Sequence, residues 1–84
     1  MLKQEITDKI FEIIANKFKI EQEDISLEST FQSLGADSLD VVEIIFDIEI
    51  IFKINIPENT GIENNTIAAI VDYIDELMFI NKNK

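Results

Sequence analysis

The 84-residue chain has no cysteine, no histidine and no arginine. Without cysteine there are no disulfides, no thiolate metal ligands and no thiol catalysis, and the redox compartment stays open. Without histidine the commonest general base and a common metal ligand are missing together. No apolar run approaches the ~18 residues needed to cross a bilayer. The start, Met1 to Ile6, lacks the apolar stretch of a signal peptide. The expectation is a soluble protein of the cytoplasm, or of an organelle interior after processing, with no membrane insertion.

What remains is acidic and apolar. Hydrophobic residues make up 46% of the chain, too many for a disordered acidic segment, so it should fold. Its length allows one domain over residues 1–84, with a thin core. The formal net charge is −10, and six of the seven lysines lie near the ends. From Ile20 to Asn81 only Lys53 is basic, against fourteen Asp and Glu. That surface repels nucleic acid and anionic membranes and attracts basic patches on other proteins. A charged face kept for solubility is the plainer alternative.

Ile6, Ile10, Ile13, Ile14 and Phe18 recur at helical spacing, which predicts an amphipathic helix from Lys3 to about Phe18. Residues 19–36 lack a sustained helical pattern yet carry Ile20, Ile25, Leu27, Phe31 and Leu34, so this loop should be pinned across a core. A second helix is predicted from about Ser38 to Phe52. Pro57 can open a short helical turn ending near Gly61. Asn65 or Thr66 then caps a last helix, whose Ile67, Ile70, Val71, Ile74, Leu77 and Met78 share one face. The tail from Asn81 should fray. The predicted fold is all-α: a small four-helix bundle of three long helices and one short, with a long ordered loop between the first two.

The second helix has two apolar sides. On a wheel at ~100° per residue, Val41, Ile44, Ile45, Ile48, Ile51 and Phe52 occupy one arc of roughly 120°, the core side. Leu39, Val42, Phe46 and Ile50 fall opposite, among Asp40, Glu43, Asp47 and Glu49. So short a chain has too little material to bury both sides. Val42 and Phe46 read as an exposed strip with an acidic border, the makeup of a docking surface; the long loop could cover Leu39.

At the start of this helix stands LGADSLD, Leu34 to Asp40. Asp37 reads as the N-cap, with Ser38 in the first turn. A nucleophilic serine needs a base, normally histidine, and none exists, so catalysis by Ser38 is disfavoured. Ser38 is either an ordinary helix-start residue or the substrate of another enzyme. A phosphate ester on it would lie at the positive end of the helix, where an anion is favoured.

LGADSLD, running on into DVVEIIFDIE, resembles the prosthetic-group attachment segment of acyl carrier proteins of the bacterial fatty-acid-synthase type. The resemblance extends over almost the whole chain, through Phe31, Phe52, the run Ile54 to Pro57, and Thr66 to Ile74 with Asp72-Tyr73-Ile74. It implies a carrier without catalysis of its own. Ser38 would receive phosphopantetheine from coenzyme A through a phosphopantetheinyl transferase, and the arm's thiol would carry acyl groups as thioesters. Asp37, Asp40, Glu43 and Glu49 would face basic patches on acyl synthases, ligases or transferases, and Leu39, Val42 and Phe46 would give apolar contact. Ile44, Ile48, Ile56, Ile62 and Ile70 would line the acyl chain, while also serving as plain core. A monomer is expected.

Three departures bear on the pathway. Only Gln32 and Ser33 separate Phe31 from Leu34, the end of the second helix reads Ile50-Ile51 where acids are usual, and Asn64 stands where an apolar residue is common. A dedicated polyketide, lipid, aminoacyl or peptidyl carrier therefore stands beside the fatty-acid reading. From a different class, an unmodified acidic helical adaptor would use the Val42/Phe46 strip for binding alone. Specific calcium binding is not expected, because the acidic loop pattern with its terminal Glu is missing.

Overall fold

Three helices carry the chain: α1 (Lys3–Phe18), α2 (Ser38–Phe52) and α3 (Ile67–Lys82). The structure, a computed structural model, describes residues 2–57 and 60–82, with side chains as far as 80. Among the described residues there are no strands, only one isolated antiparallel bridge between Thr30 and Thr66. α1 packs against both α2 and α3, which approach each other far less. None of the described helices is long and apolar enough to cross a membrane.

Among the described residues seventeen form the buried core, thirteen of them isoleucine, joined by Ala15, Phe31, Phe52 and Val71. β-Branched residues are stiff and only moderate helix formers, so these helices depend on their packed faces more than on local propensity. Ile6, Ile10 and Ile14 of α1 meet Ile44 and Ile48 of α2 and Ile67, Ile70 and Ile74 of α3 in one cluster.

α1 and α2 end in the same way. Lys19 and Lys53 both adopt the left-handed conformation, at φ 57° and 56°. The next residue turns back in each case: the Ile20 N–H donates to the Ala15 carbonyl at 3.1 Å, and the Ile54 N–H to the Glu49 carbonyl at 3.2 Å. This is a Schellman closure with an apolar residue following, marked both times by the triplet Phe-Lys-Ile.

The segment between α1 and α2 earns its order by closing α3. It contains a short 3-10 turn, Gln22–Asp24, and buries Ile25 and Phe31. The first N–H groups of a helix have no partner within it. Here Ile67 donates to the Ser29 carbonyl at 2.8 Å and Ala68 to the Leu27 carbonyl at 2.9 Å. The Thr66 hydroxyl accepts from Ala69 at 3.3 Å, which makes Thr66 the cap.

Two expectations change. Leu27 is 45% exposed, because its backbone, not its side chain, is what the fold uses. Ile51 is 44% exposed, on a shallow groove beside Lys9, Glu12 and Asn16 of α1, where the core arc of α2 has run past its cover. After Gly61 the described residues show a 3-10 turn at Ile62–Asn64. The turn expected from Pro57 to Gly61 includes residues 58 and 59, and the fraying tail includes 83 and 84; these lie outside the described residues.

Candidate functional site

The approach to Ser38 is a compact turn. The Ala36 N–H donates to the Phe31 carbonyl at 3.0 Å and Gly35 to that of Gln32 at 3.0 Å. Thr30 and Ser33 brace its base, each hydroxyl accepting from the other's backbone N–H at 3.0 and 2.9 Å. Gly35 supplies the φ of +87° that turns the chain outward, a conformation side chains rarely adopt. Phe31, buried to 1% exposure, anchors the turn in the core.

The chain then enters α2 through a reciprocal cap. The Asp40 N–H donates to Asp37 Oδ1 at 2.9 Å, and the Asp37 N–H donates to Asp40 Oδ2 at 3.3 Å. Ser38 is the first residue of the helix and its side chain is exposed. Two carboxylates thus organise the turn that displays the serine. Among the described residues no group of three or more acids is placed to hold a metal ion.

Ser38 opens onto a cleft of about 900 Å³ between α2 and residues 55–57 and 60–64. Its apolar wall comes from Val41 and Ile45 on α2, Ile56 and Ile62 opposite, and Phe31 beneath. Of the five residues expected to line an acyl chain, Ile56 and Ile62 border this cleft, whereas Ile44, Ile48 and Ile70 are fully buried in the core. Val41 and Ile45 are the lining residues that sequence reasoning placed only in the core. Their signal was present, since they stand at the edge of the core arc nearest Ser38.

Away from the core, α2 carries the exposed strip, and its Val42 and Phe46 also line the cleft, beside Glu49. Leu39 is 64%, Val42 47%, Phe46 58% and Ile50 73% exposed, and the loop covers none of them. The acids around the strip are less free than their sequence implies. Asp40 is in the cap, Glu49 Oε2 accepts from the Ile56 N–H at 2.8 Å, and Glu43 Oε2 accepts from Lys17 Nζ at 2.5 Å. Lys17, on α1, is held above the usual lysine range chiefly by that bond to Glu43; burial opposes the shift, and the charges of Glu43, Asp47 and Asp40 reinforce it. Sequence reasoning did not find this pair, whose members are 26 positions apart.

A hydroxyl displayed at a helix N-terminus, beside an open apolar cleft, fits a phosphodiester-linked arm. The phosphate would sit at the positive helix end, and the rest would have the cleft that Ser38 lines. The family profile described as "Phosphopantetheine attachment site" matches residues 8–74. An acyl carrier protein of Clostridium perfringens is 43% identical over 70 residues, covering 82% of this chain and 92% of its own. One from Amoebophilus asiaticus is 38% identical over 73 residues, covering 86% and 91%. In three dimensions, the acyl carrier protein of Enterococcus faecalis aligns with a TM-score of 0.77 at 31% identity, over 92% of this chain and 99% of that one. With phosphopantetheine as its cofactor, the chain belongs to the acyl carrier proteins of the phosphopantetheine-attachment family.

Proposed function

We propose that Ser38 is the residue that bears phosphopantetheine, and that the chain works as a single-domain, monomeric carrier in the cytoplasm with no catalysis of its own. The observation that carries this reading is the exposed Ser38 hydroxyl in the first turn of α2, held by the Asp37/Asp40 cap at the mouth of the cleft. When bound, the group supplies a terminal thiol on a flexible arm, on which an acyl chain is held as a thioester.

The residues of this chain divide the remaining work. The N-terminus of α2 favours the phosphate charge. Val41, Ile45, Ile56 and Ile62 offer the first apolar surface to an acyl chain; Ile44, Ile48 and Ile70 come within its reach only if the core parts. Leu39, Val42 and Phe46 form the dry centre of the docking face for the transferase and for acyl synthases, ligases or transferases with basic patches. Asp37, Asp40, Glu43 and Glu49 provide its acidic border.

The test is incubation with coenzyme A and a broad-specificity phosphopantetheinyl transferase, followed by intact mass. Wild type should gain the phosphopantetheine increment, while Ser38→Ala should gain none and stay folded. An unmodified wild type, beside a control carrier that is modified, would return the chain to the unmodified-adaptor reading.

A further inference from the structure

The acidic flank of the docking helix already has a cation, supplied by the chain itself. Lys17 reaches from α1 to Glu43 at 2.5 Å, and its side chain is 23% exposed against 46% for that of Glu43. Lys3 pairs with Asp72 on α3, Lys19 and Lys53 terminate α1 and α2 in left-handed caps, and Lys9 lines the α1/α2 groove with Lys17 and Asp47 but is not the lysine bonded to Glu43. Lys17 therefore stands where a basic residue of a docking enzyme would be drawn. It neutralises one carboxylate and weakens the negative potential near Asp47 and Asp40.

We propose that Lys17 is a specificity-determining residue for docking, an internal competitor that a partner's cation must displace from Glu43. This rests on the carrier reading and on α2 as the docking face. With Glu43 taken up internally, long-range attraction is moderated, and more of the binding falls to the exposed Leu39, Val42, Phe46 and Ile50. Partners with a modest positive charge and a good apolar fit are favoured over strongly basic surfaces of poor fit. Selection by displacement is possible because both side chains reach solvent, Glu43 more than Lys17, where such bonds exchange at small cost.

The experiment measures transferase kinetics on the full chain for wild type, Lys17→Gln, Glu43→Gln and the double variant. Lys17→Gln frees Glu43, so KM should fall roughly two- to fivefold at low salt, the scale of one partly screened charge. The fall should shrink at high salt and be felt in KM more than in kcat. Removing Lys17 from the Glu43→Gln background should have a much smaller effect. Lys3→Gln removes the same unit of charge from a pair on α3 and should change KM less than Lys17→Gln does. Thermal melts establish that each variant is folded. Unchanged or raised KM in folded Lys17→Gln, or an equal fall in Lys3→Gln, overturns the proposal while leaving the carrier reading intact; a wild type that is never modified overturns the carrier reading instead.

Discussion

The Glu49 carboxylate accepts a hydrogen bond from the Ile56 backbone N–H at 2.8 Å, joining α2 to the segment that forms the far wall of the cleft. Glu49 also lends its backbone carbonyl to Ile54, so one residue both ends the helix and fixes the chain that leaves it. A charge-assisted bond to a part-buried amide contributes more than a neutral one. Glu49→Ala should cost about 1–2 kcal/mol and speed amide exchange at Ile56. Wild-type exchange at Ile56 in the variant would show that the wall is held by Ile54 and Ile56 burial alone.

Lys19 and Lys53 occupy left-handed positions that carry a conformational cost for any residue with a Cβ. Lys19→Gly should therefore raise stability by about 0.5–1 kcal/mol, which in a domain of this size is a few degrees in Tm. Lys53→Gly gains the same relief but deletes the one cation between Ile20 and Asn81, so its gain should be smaller at low salt and recover as salt is added. Calorimetry at two ionic strengths distinguishes the backbone effect from the charge effect. Destabilisation by both substitutions at both strengths would mean that the lysine stems contribute packing that outweighs the strain.

The bounds of α1 and α2 were legible from local signals: an apolar period in both and, for α2, the Asp37 cap. The place of Ser38 in the first turn of α2 was legible for the same reason, as a motif in consecutive positions. What was not legible joins distant parts of the chain. The loop was expected to serve the core through Ile20, Ile25, Leu27, Phe31 and Leu34; Ile25 and Phe31 are buried, but at Leu27 the contribution is a carbonyl offered to Ala68, which no side-chain pattern encodes. Lys17 and Glu43 lie on different helices, and their meeting depends on how α1 crosses α2. Ile51 shows the limit of a wheel, which gives the direction of a side chain but not where its cover ends.

The two sides of α2 should respond differently to the same truncation. Ile48 is fully buried, and Ile48→Ala should cost roughly 2–5 kcal/mol through lost burial and a residual cavity. Phe46 is 58% exposed, so Phe46→Ala should cost far less folding free energy while weakening docking to the transferase. Thermal melts beside the transferase's kcat/KM measure both effects. Should Phe46→Ala unfold the protein while Ile48→Ala leaves it intact, the faces are reversed.

Salt and pH should act on this fold through separate groups. A net charge of −10 on so small a body is self-repelling, and salt screens it over about 8–10 Å, so moderate salt or millimolar divalent cation should raise Tm. At alkaline pH the relevant groups are Lys17, raised chiefly by its bond to Glu43, and Lys3, raised chiefly by its bond to Asp72. A lysine whose folded pKa is raised contributes stability that is complete below its unfolded value and is lost as pH climbs through the folded one. The stability difference between wild type and Lys17→Gln should therefore stay constant from neutral pH up to the ordinary lysine range and vanish above it. Denaturant titrations at stepped pH read this directly. A difference that instead decays between pH 7 and 9 would place its origin in some group other than the Lys17 ammonium.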